Sequence, residues 1–188
     1  MITTFEKSRI YLIKKNWTLV LFFKIMIFEE LIKENREEFI KRVKDVALYL
    51  EVQPEHLMFL MWFETAHTLD SSIQNSIGAT GLIQFMPKTT IGLGTTTEKL
   101  KNMSNVEQLV FVQMHLAPFK GKYKDFVDLY CGIFWPAAVG KDDDYQIGNE
   151  QVAKQNPLFV MKDDKFIYKS SIRTALRRQI PEEFLRYF

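Results

Sequence analysis

Glu64 is the residue of this sequence best placed for acid–base chemistry. It closes a run of seven apolar residues, Leu57-Met58-Phe59-Leu60-Met61-Trp62-Phe63. Seven consecutive apolar side chains cover every face of a helix, and such a helix is buried on all sides. A carboxyl group at its end leaves water at a cost, and burial disfavours the charged form and raises the pKa. A carboxyl that is still protonated near neutral pH can donate to a leaving oxygen. The stretch from Thr65 to Gly81 is rich in Thr, Ser, Asn and Gly and reads as a loop. Glycine in such a loop lets a polymer approach the backbone closely. On these residues alone a second reading stays open, in which Glu64 simply points from a helix end into solvent.

The other chemistry-bearing residues offer less. Asp70 is the sole acid between Glu64 and Glu98. Its place early in the loop suits a loop-stabilising residue better than a second catalytic carboxylate. His56, His67 and His115 lack ligand spacing with one another, and Cys131 does not join them, so neither a metal nor another cofactor is expected. His67 reads as a surface or hydrogen-bonded histidine. A single cysteine cannot form an intrachain disulfide and is expected to pack as a small hydrophobe. No phosphate-binding glycine motif and no nucleophile elbow occurs.

The elements that must position these residues are mostly helical. With 188 residues and 47% apolar content, the chain can fill one ordinary core. A formal charge of +2 without a long Lys/Arg tract argues against a nucleic-acid partner. Near the N-terminus, Lys14 and Lys15 precede the apolar run Trp17–Phe23, which Lys24 interrupts. The run is too short for the roughly 20 residues that span a bilayer, so no stable membrane anchor is expected. Residues 1–27 are therefore set apart as an N-terminal extension. They can be a signal, an anchor or the product of an upstream start with Met26 opening the domain; residues 28–188 form the domain proper. Apolar spacing predicts a helix from Phe28 to Leu50, with charged residues outside. A second begins at Pro54, a favoured first-turn residue, and reaches Glu64. Further helices are expected at Asn105–Leu116, at Phe126–Phe134 ahead of Pro136, and from Ile172 to Phe188 with a break at Pro181. Lys141 to Asp144 reads as a polar turn.

Phe63-Glu64-Thr65, followed by Gly78-Ala79-Thr80-Gly81-Leu82-Ile83-Gln84-Phe85-Met86-Pro87-Lys88-Thr89, resembles the signature of the soluble lytic transglycosylase family. That pattern is a Glu-Ser pair, a variable loop, then Gly-Ala-x-Gly-Leu-x-Gln-x-Met-Pro-x-Thr. Asp128-Leu129-Tyr130, through Trp135-Pro136-Ala137-Ala138-Val139-Gly140, is similar to the downstream part of a phage-associated and secreted muramidase branch. The resemblance covers residues 51–140. It implies a mainly α, lysozyme-like helical domain with a catalytic cleft. It also implies cleavage of the β-1,4 bond between N-acetylmuramic acid and N-acetylglucosamine in peptidoglycan glycan strands, with Glu64 as acid and then base. In lytic transglycosylases the muramoyl 6-hydroxyl attacks and gives an anhydro product, whereas hydrolysis needs a positioned water. Most glycosidases use two carboxylates; with Asp70 set aside, a single-carboxylate mechanism is favoured. By the same resemblance Gly78, Ala79 and Gly81 shape the cleft wall, and Gln84 bonds a sugar or its acetamido group. Thr65 keeps the hydroxyl of the usual Ser, and Tyr130 orients Glu64 or the substrate. Phe85 is open to two readings, contact with a sugar or packing in the core, as an apolar residue beside a motif more often does. The family's Asn after the Tyr is absent here, where the chain reads Tyr130-Cys131-Gly132.

In that branch a Gln-Asn pair precedes an EF-hand-type calcium loop. Gln155-Asn156 is present, but the loop at 160–171 offers Val160, Lys162, Asp164, Lys165 and Ser171 at its first, third, fifth, sixth and twelfth positions. Only Asp164 is a strong oxygen ligand, so the loop is read as degenerate and calcium is not expected. The functional expectation is a phage lysin or a secreted antibacterial wall-degrading effector. It would act in the periplasm or on the cell wall, and an immunity or delivery protein is a possible partner. The alternatives are an inactive peptidoglycan-binding module and a structural part of a phage tail or secretion apparatus.

Overall fold

The computed structural model of the protein describes residues 26–162 and 164–188; the run Trp17–Phe23 lies outside them. The fold is mainly helical. In chain order it comprises α1 (Arg36–Leu50), α2 (Pro54–Glu64), α3 (Pro87–Gly92), α4 (Thr97–Lys101), α5 (Asn105–Leu116) and α6 (Phe126–Phe134). There follow β1 (Gln146–Ile147), α7 (Glu150–Gln155), β2 (Ile167–Tyr168) and α8 (Lys169–Gln179). Short 3₁₀ turns link several of these, and β1 pairs antiparallel with β2, Gln146 opposite Tyr168. Among the described residues no helix is long and apolar enough to cross a membrane.

α2 is the central element. Pro54 opens it, and every residue from Glu55 to Trp62 is buried, as the unbroken apolar run requires. α1 and α6 pack against it, and α5 packs against both. α1 contributes Phe39, Val43, Val46, Ala47 and Leu50 to the core, a spacing that keeps one stripe inward. Arg42 bonds Gln113 and Asn35 faces Asn105, so α1 and α5 run side by side in the same direction. Local caps set the boundaries. Ser104 and Glu107 form a reciprocal capping box at α5, and Asp125 accepts from the Asp128 N–H at 2.9 Å to start α6.

The expected single helix from Phe28 to Leu50 is divided. Residues Glu29–Leu31 form a 3₁₀ turn and α1 starts only at Arg36. Phe28 and Asn35 both take left-handed backbone (φ 59° and 52°), which interrupts the helical path. Phe28 does so because its ring is committed elsewhere: it stacks on Trp62 at 4.5 Å. Met26 and Ile27, only 5% and 4% exposed, also belong to the core, so the packed structure begins before residue 28.

The C-terminal third clamps α6. Asp128 is fully buried and accepts from the backbone N–H groups of Lys124 (3.0 Å) and Gly140 (2.8 Å), and from the Lys169 ammonium at the start of α8. Lys169, 2% exposed, also donates to the Lys141 carbonyl at 2.6 Å. Arg173 joins Asp125 and Asp143 on the same side. The segment 160–171 supplies β2 and the first turn of α8, with Ile167 wholly buried and the Ser171 hydroxyl donating to the Phe159 carbonyl. Beyond Pro181 the chain forms a 3₁₀ turn, Glu182–Tyr187, instead of continuing α8. It lays Phe184 on Phe28 and Phe188 on Phe126.

Removing one partner of a buried, hydrogen-bonded ion pair leaves the other charge uncompensated and costs about 3–5 kcal/mol. Lys169→Met is accordingly expected to lower the unfolding free energy by about that amount in urea titration. Lys154→Met, at an exposed position on α7, should leave the midpoint nearly unchanged.

Candidate active site

Glu64 is the last residue of α2, where the buried helix reaches the edge of the core. It is part-buried, and removal of its carboxyl from water pushes the pKa up to about 7, against a smaller downward pull from a hydrogen bond with Tyr130. No other charge acts on it appreciably among the described residues, so the shift is a desolvation effect. Tyr130 comes from α6 and is 4% exposed. Burial and the adjoining Glu64 carboxyl hold its own pKa well above the ordinary range, which keeps the phenol protonated and able to donate. Its ring is fixed edge-on against Phe63 (5.6 Å) and against Phe159 (5.5 Å). The structure thus brings together the two residues singled out for proton chemistry and its orientation.

The segment after Glu64 is strained. Ala66, His67 and Leu69 all take left-handed backbone, with φ of 50°, 70° and 55°. The turn is held by Thr65, whose hydroxyl donates to the Met61 carbonyl (2.7 Å) and accepts from the Leu69 N–H (2.9 Å). Thr65 is fully buried, so its hydroxyl supports the turn and does not face a substrate. His67 stacks on Trp62 at 3.8 Å. Asp70 behaves as a loop residue: its Oδ1 accepts from the Ser72 hydroxyl and N–H, which hold its pKa below the usual range.

Residues 74–85 fold into a small ladder, with Thr80 bridging both Gln74 and Phe85. Gly78 and Gly81 turn its corners at φ 81° and 82°. Gly78 and Gln84 are part-exposed, whereas Ala79, Gly81 and Phe85 are buried. Ala79 and Gly81 therefore lie inside the loop and not on its surface. Phe85, 2% exposed and edge-on to His115, is a core residue, and it is Met86, 43% exposed, that faces outward. The Gln84 amide turns back to donate to the Gly81 carbonyl at 3.1 Å. Sequence reasoning missed Gln108. This wholly buried residue of α5 accepts from the Leu82 N–H (3.0 Å) and donates to the carbonyls of Ser71 (2.6 Å) and Leu100 (2.7 Å). It pins the loop to the core. Its only sequence signal is a polar residue on the inner side of an otherwise apolar helix.

Comparison with protein-family models, curated proteins and solved structures returns no match to this chain. The chemistry of the site accordingly rests on its own geometry. A carboxyl poised near neutrality beside a protonated phenol can give a proton to a ligand and take one back. Among the described residues no group of His, Cys, Asp or Glu is arranged to hold a metal ion.

Two tests follow from this geometry. A carboxyl with a raised pKa in the folded state binds protons more tightly there than in the unfolded chain. Its contribution to stability is thus full below the ordinary value of 4.5 and is lost as pH rises through about 7. Glu64→Gln should match wild type in stability near pH 4 and exceed it by a few kcal/mol at pH 8, as read by denaturant titration across that range; equal pH profiles would contradict a buried carboxyl. Gly81→Ala should lose about 1–3 kcal/mol, because alanine is strained at this φ and its β-carbon would overlap the Gln108 side-chain oxygen. Thermal unfolding of the variant measures that loss.

Proposed function

We propose that the protein cleaves the glycan strands of peptidoglycan at the bond between N-acetylmuramic acid and N-acetylglucosamine. The domain is read as lysozyme-like, with Glu64 as the catalytic residue. One observation carries the reading: the Glu64 carboxyl is raised to about 7 by burial and hydrogen-bonded by Tyr130, with no second carboxylate acting on it among the described residues. A carboxyl of that pKa is protonated in a large share of molecules at neutral pH and can protonate the glycosidic oxygen as the bond breaks. The ionised form then serves as the base. In a two-carboxylate glycosidase the partner lies within about 5–10 Å of the acid. Asp70, the nearest acid in sequence after Glu64, has its Oδ1 held in the loop by Ser72. In this reading the nucleophile is a hydroxyl of the substrate or a water, and Glu64 takes its proton. The outward-facing groups of the motif, Gly78, Gln84 and Met86, suit a polymer laid across the loop, with the Gln84 oxygen ready to accept from a sugar acetamide.

Purified protein incubated with peptidoglycan should release muropeptides. Mass spectrometry then separates anhydro-ended fragments, which report attack by the substrate hydroxyl, from reducing-end fragments, which report hydrolysis. Glu64→Gln should lower turnover by about 10²–10⁴-fold while the circular-dichroism spectrum stays unchanged. Because the acid form is the one that starts the reaction, wild-type kcat/KM should fall as pH rises through about 7. Tyr130→Phe, which removes a bond that lowers the Glu64 pKa, should move that fall to higher pH. Full activity of Glu64→Gln would end the assignment.

A further inference from the structure

A cavity of about 330 Å³ lies against the start of α5, and Glu64 is not among its walls. Three segments distant in sequence meet there: Lys33 and Glu34 before α1, Asp70 and Ser71 after the strained turn, and Asn105 at the start of α5. Its volume falls at the lower end of the range of small-ligand sites. Its floor is apolar, with Leu69 only 6% exposed, and its rim carries charges of both signs. Asp70 commits Oδ1 to Ser72, and no described residue bonds its second oxygen. The Lys33 ammonium is near enough for its charge to act on Asp70. Asn105 ties the walls together by donating to the Glu34 carbonyl at 2.8 Å.

We propose that this cavity is a subsite for the charged stem peptide carried by the glycan, an inference that rests on the peptidoglycan reading of Glu64. Within that polymer the sugars present hydroxyls and acetamides. Free carboxylates and amines belong to the peptide. A rim that offers Lys33 to a carboxylate and Asp70 and Glu34 to an amine selects the peptide over the sugar, and the floor receives its methyl groups.

The cavity is also tied to the catalytic residue. Thr68, in its wall, lies four residues beyond Glu64, and four residues span at most about 14 Å even when extended. The connecting turn is not extended. Ala66, His67 and Leu69 hold left-handed angles, and the Thr68 hydroxyl donates back to the Thr65 carbonyl at 2.7 Å. One fixed turn therefore carries Glu64 at its start and the peptide-binding wall at its end. A peptide seated in the cavity would fix the register of its sugar relative to the Glu64 carboxyl.

Binding tests this without turnover. The Glu64→Gln protein is titrated by calorimetry and by amide chemical shifts with two probes. One is the synthetic tetrapeptide L-Ala-γ-D-Glu-diaminopimelate-D-Ala, and the other is chitotetraose. The expected result is that the peptide binds and shifts the amides of Asp70, Ser71 and Asn105, that chitotetraose leaves those amides in place, and that adding Lys33→Glu weakens the peptide at least tenfold. Unchanged affinity in the Lys33→Glu protein, no peptide binding, or shifts of those amides by chitotetraose would overturn the proposal. Cleavage by the wild-type protein is scored separately. Turnover without peptide binding removes the subsite alone, and peptide binding without turnover removes the cleavage reading and leaves the subsite standing.

Discussion

A helix with apolar side chains on every face has no surface on which water is tolerable, and the arrangement of this protein follows from that constraint. α2 must be surrounded, so α1 and α6 pack on it, and the aromatic residues of the C-terminal segment close over its first turn. His56 bonds the Tyr187 carbonyl there at 2.6 Å. Its last residue is the first position at which the chain can leave the core. Glu64 occupies that position, and its protonation behaviour is thus a consequence of how α2 is buried. The desolvation that shifts the carboxyl comes from the packing that stabilises the fold.

Two carboxylates in this core are treated in opposite ways, and the difference separates structure from chemistry. Asp128 is completely buried, yet two backbone N–H groups and the Lys169 ammonium surround it. All three donate to its oxygens. Among the described residues Glu64 has one partner, the neutral Tyr130 hydroxyl, and no cation to offset the loss of water. The first arrangement fixes α6 to the C-terminal clamp. The second leaves a carboxyl able to hold or release its proton with little free-energy change near neutral pH. Tyr130 and Asp128 lie two residues apart on the same helix, so the fully satisfied carboxylate anchors the element that carries the partner of the unsatisfied one.

Much of this was legible in the sequence where the signal was local and strong. The start of α2 and the end of α6 follow from Pro54 and Pro136, because a proline acts within one turn of its own position, and the apolar spacing of α5 marked its inner side. Glu64 was legible because seven apolar residues precede it. What was hidden depends on partners far along the chain. Nothing near Phe28 announces that its ring stacks on Trp62 and takes the backbone out of helix. The dispositions of Thr65 and Phe85 were not legible, because a motif gives residue types and not the direction in which they face: one is spent on the turn and the other on the core. Gln108 acts 26 residues from the Leu82 N–H that it receives, a pairing that no periodicity encodes. α3, α4 and α7 are each five or six residues long, too short for a repeating pattern to declare itself.

The turn after Glu64 shows why such sites resist a purely local reading. Three non-glycine residues in left-handed conformations cost on the order of 1–3 kcal/mol each, and glycine would reach the same angles without that cost. Side chains are present nonetheless, and two of them have clear employment. The His67 ring covers Trp62, and Leu69 floors the adjacent cavity. The strain is offset by contacts that exist only in the folded chain: the Thr65 and Thr68 hydroxyls, the stack on Trp62, and the Gln108 amide holding Ser71. A glycine turn would be relaxed but mobile, and it would leave the carboxyl free to rotate out to water. Because that carboxyl's proton affinity depends on staying at the edge of the core, a costly rigid turn preserves it better than a flexible one.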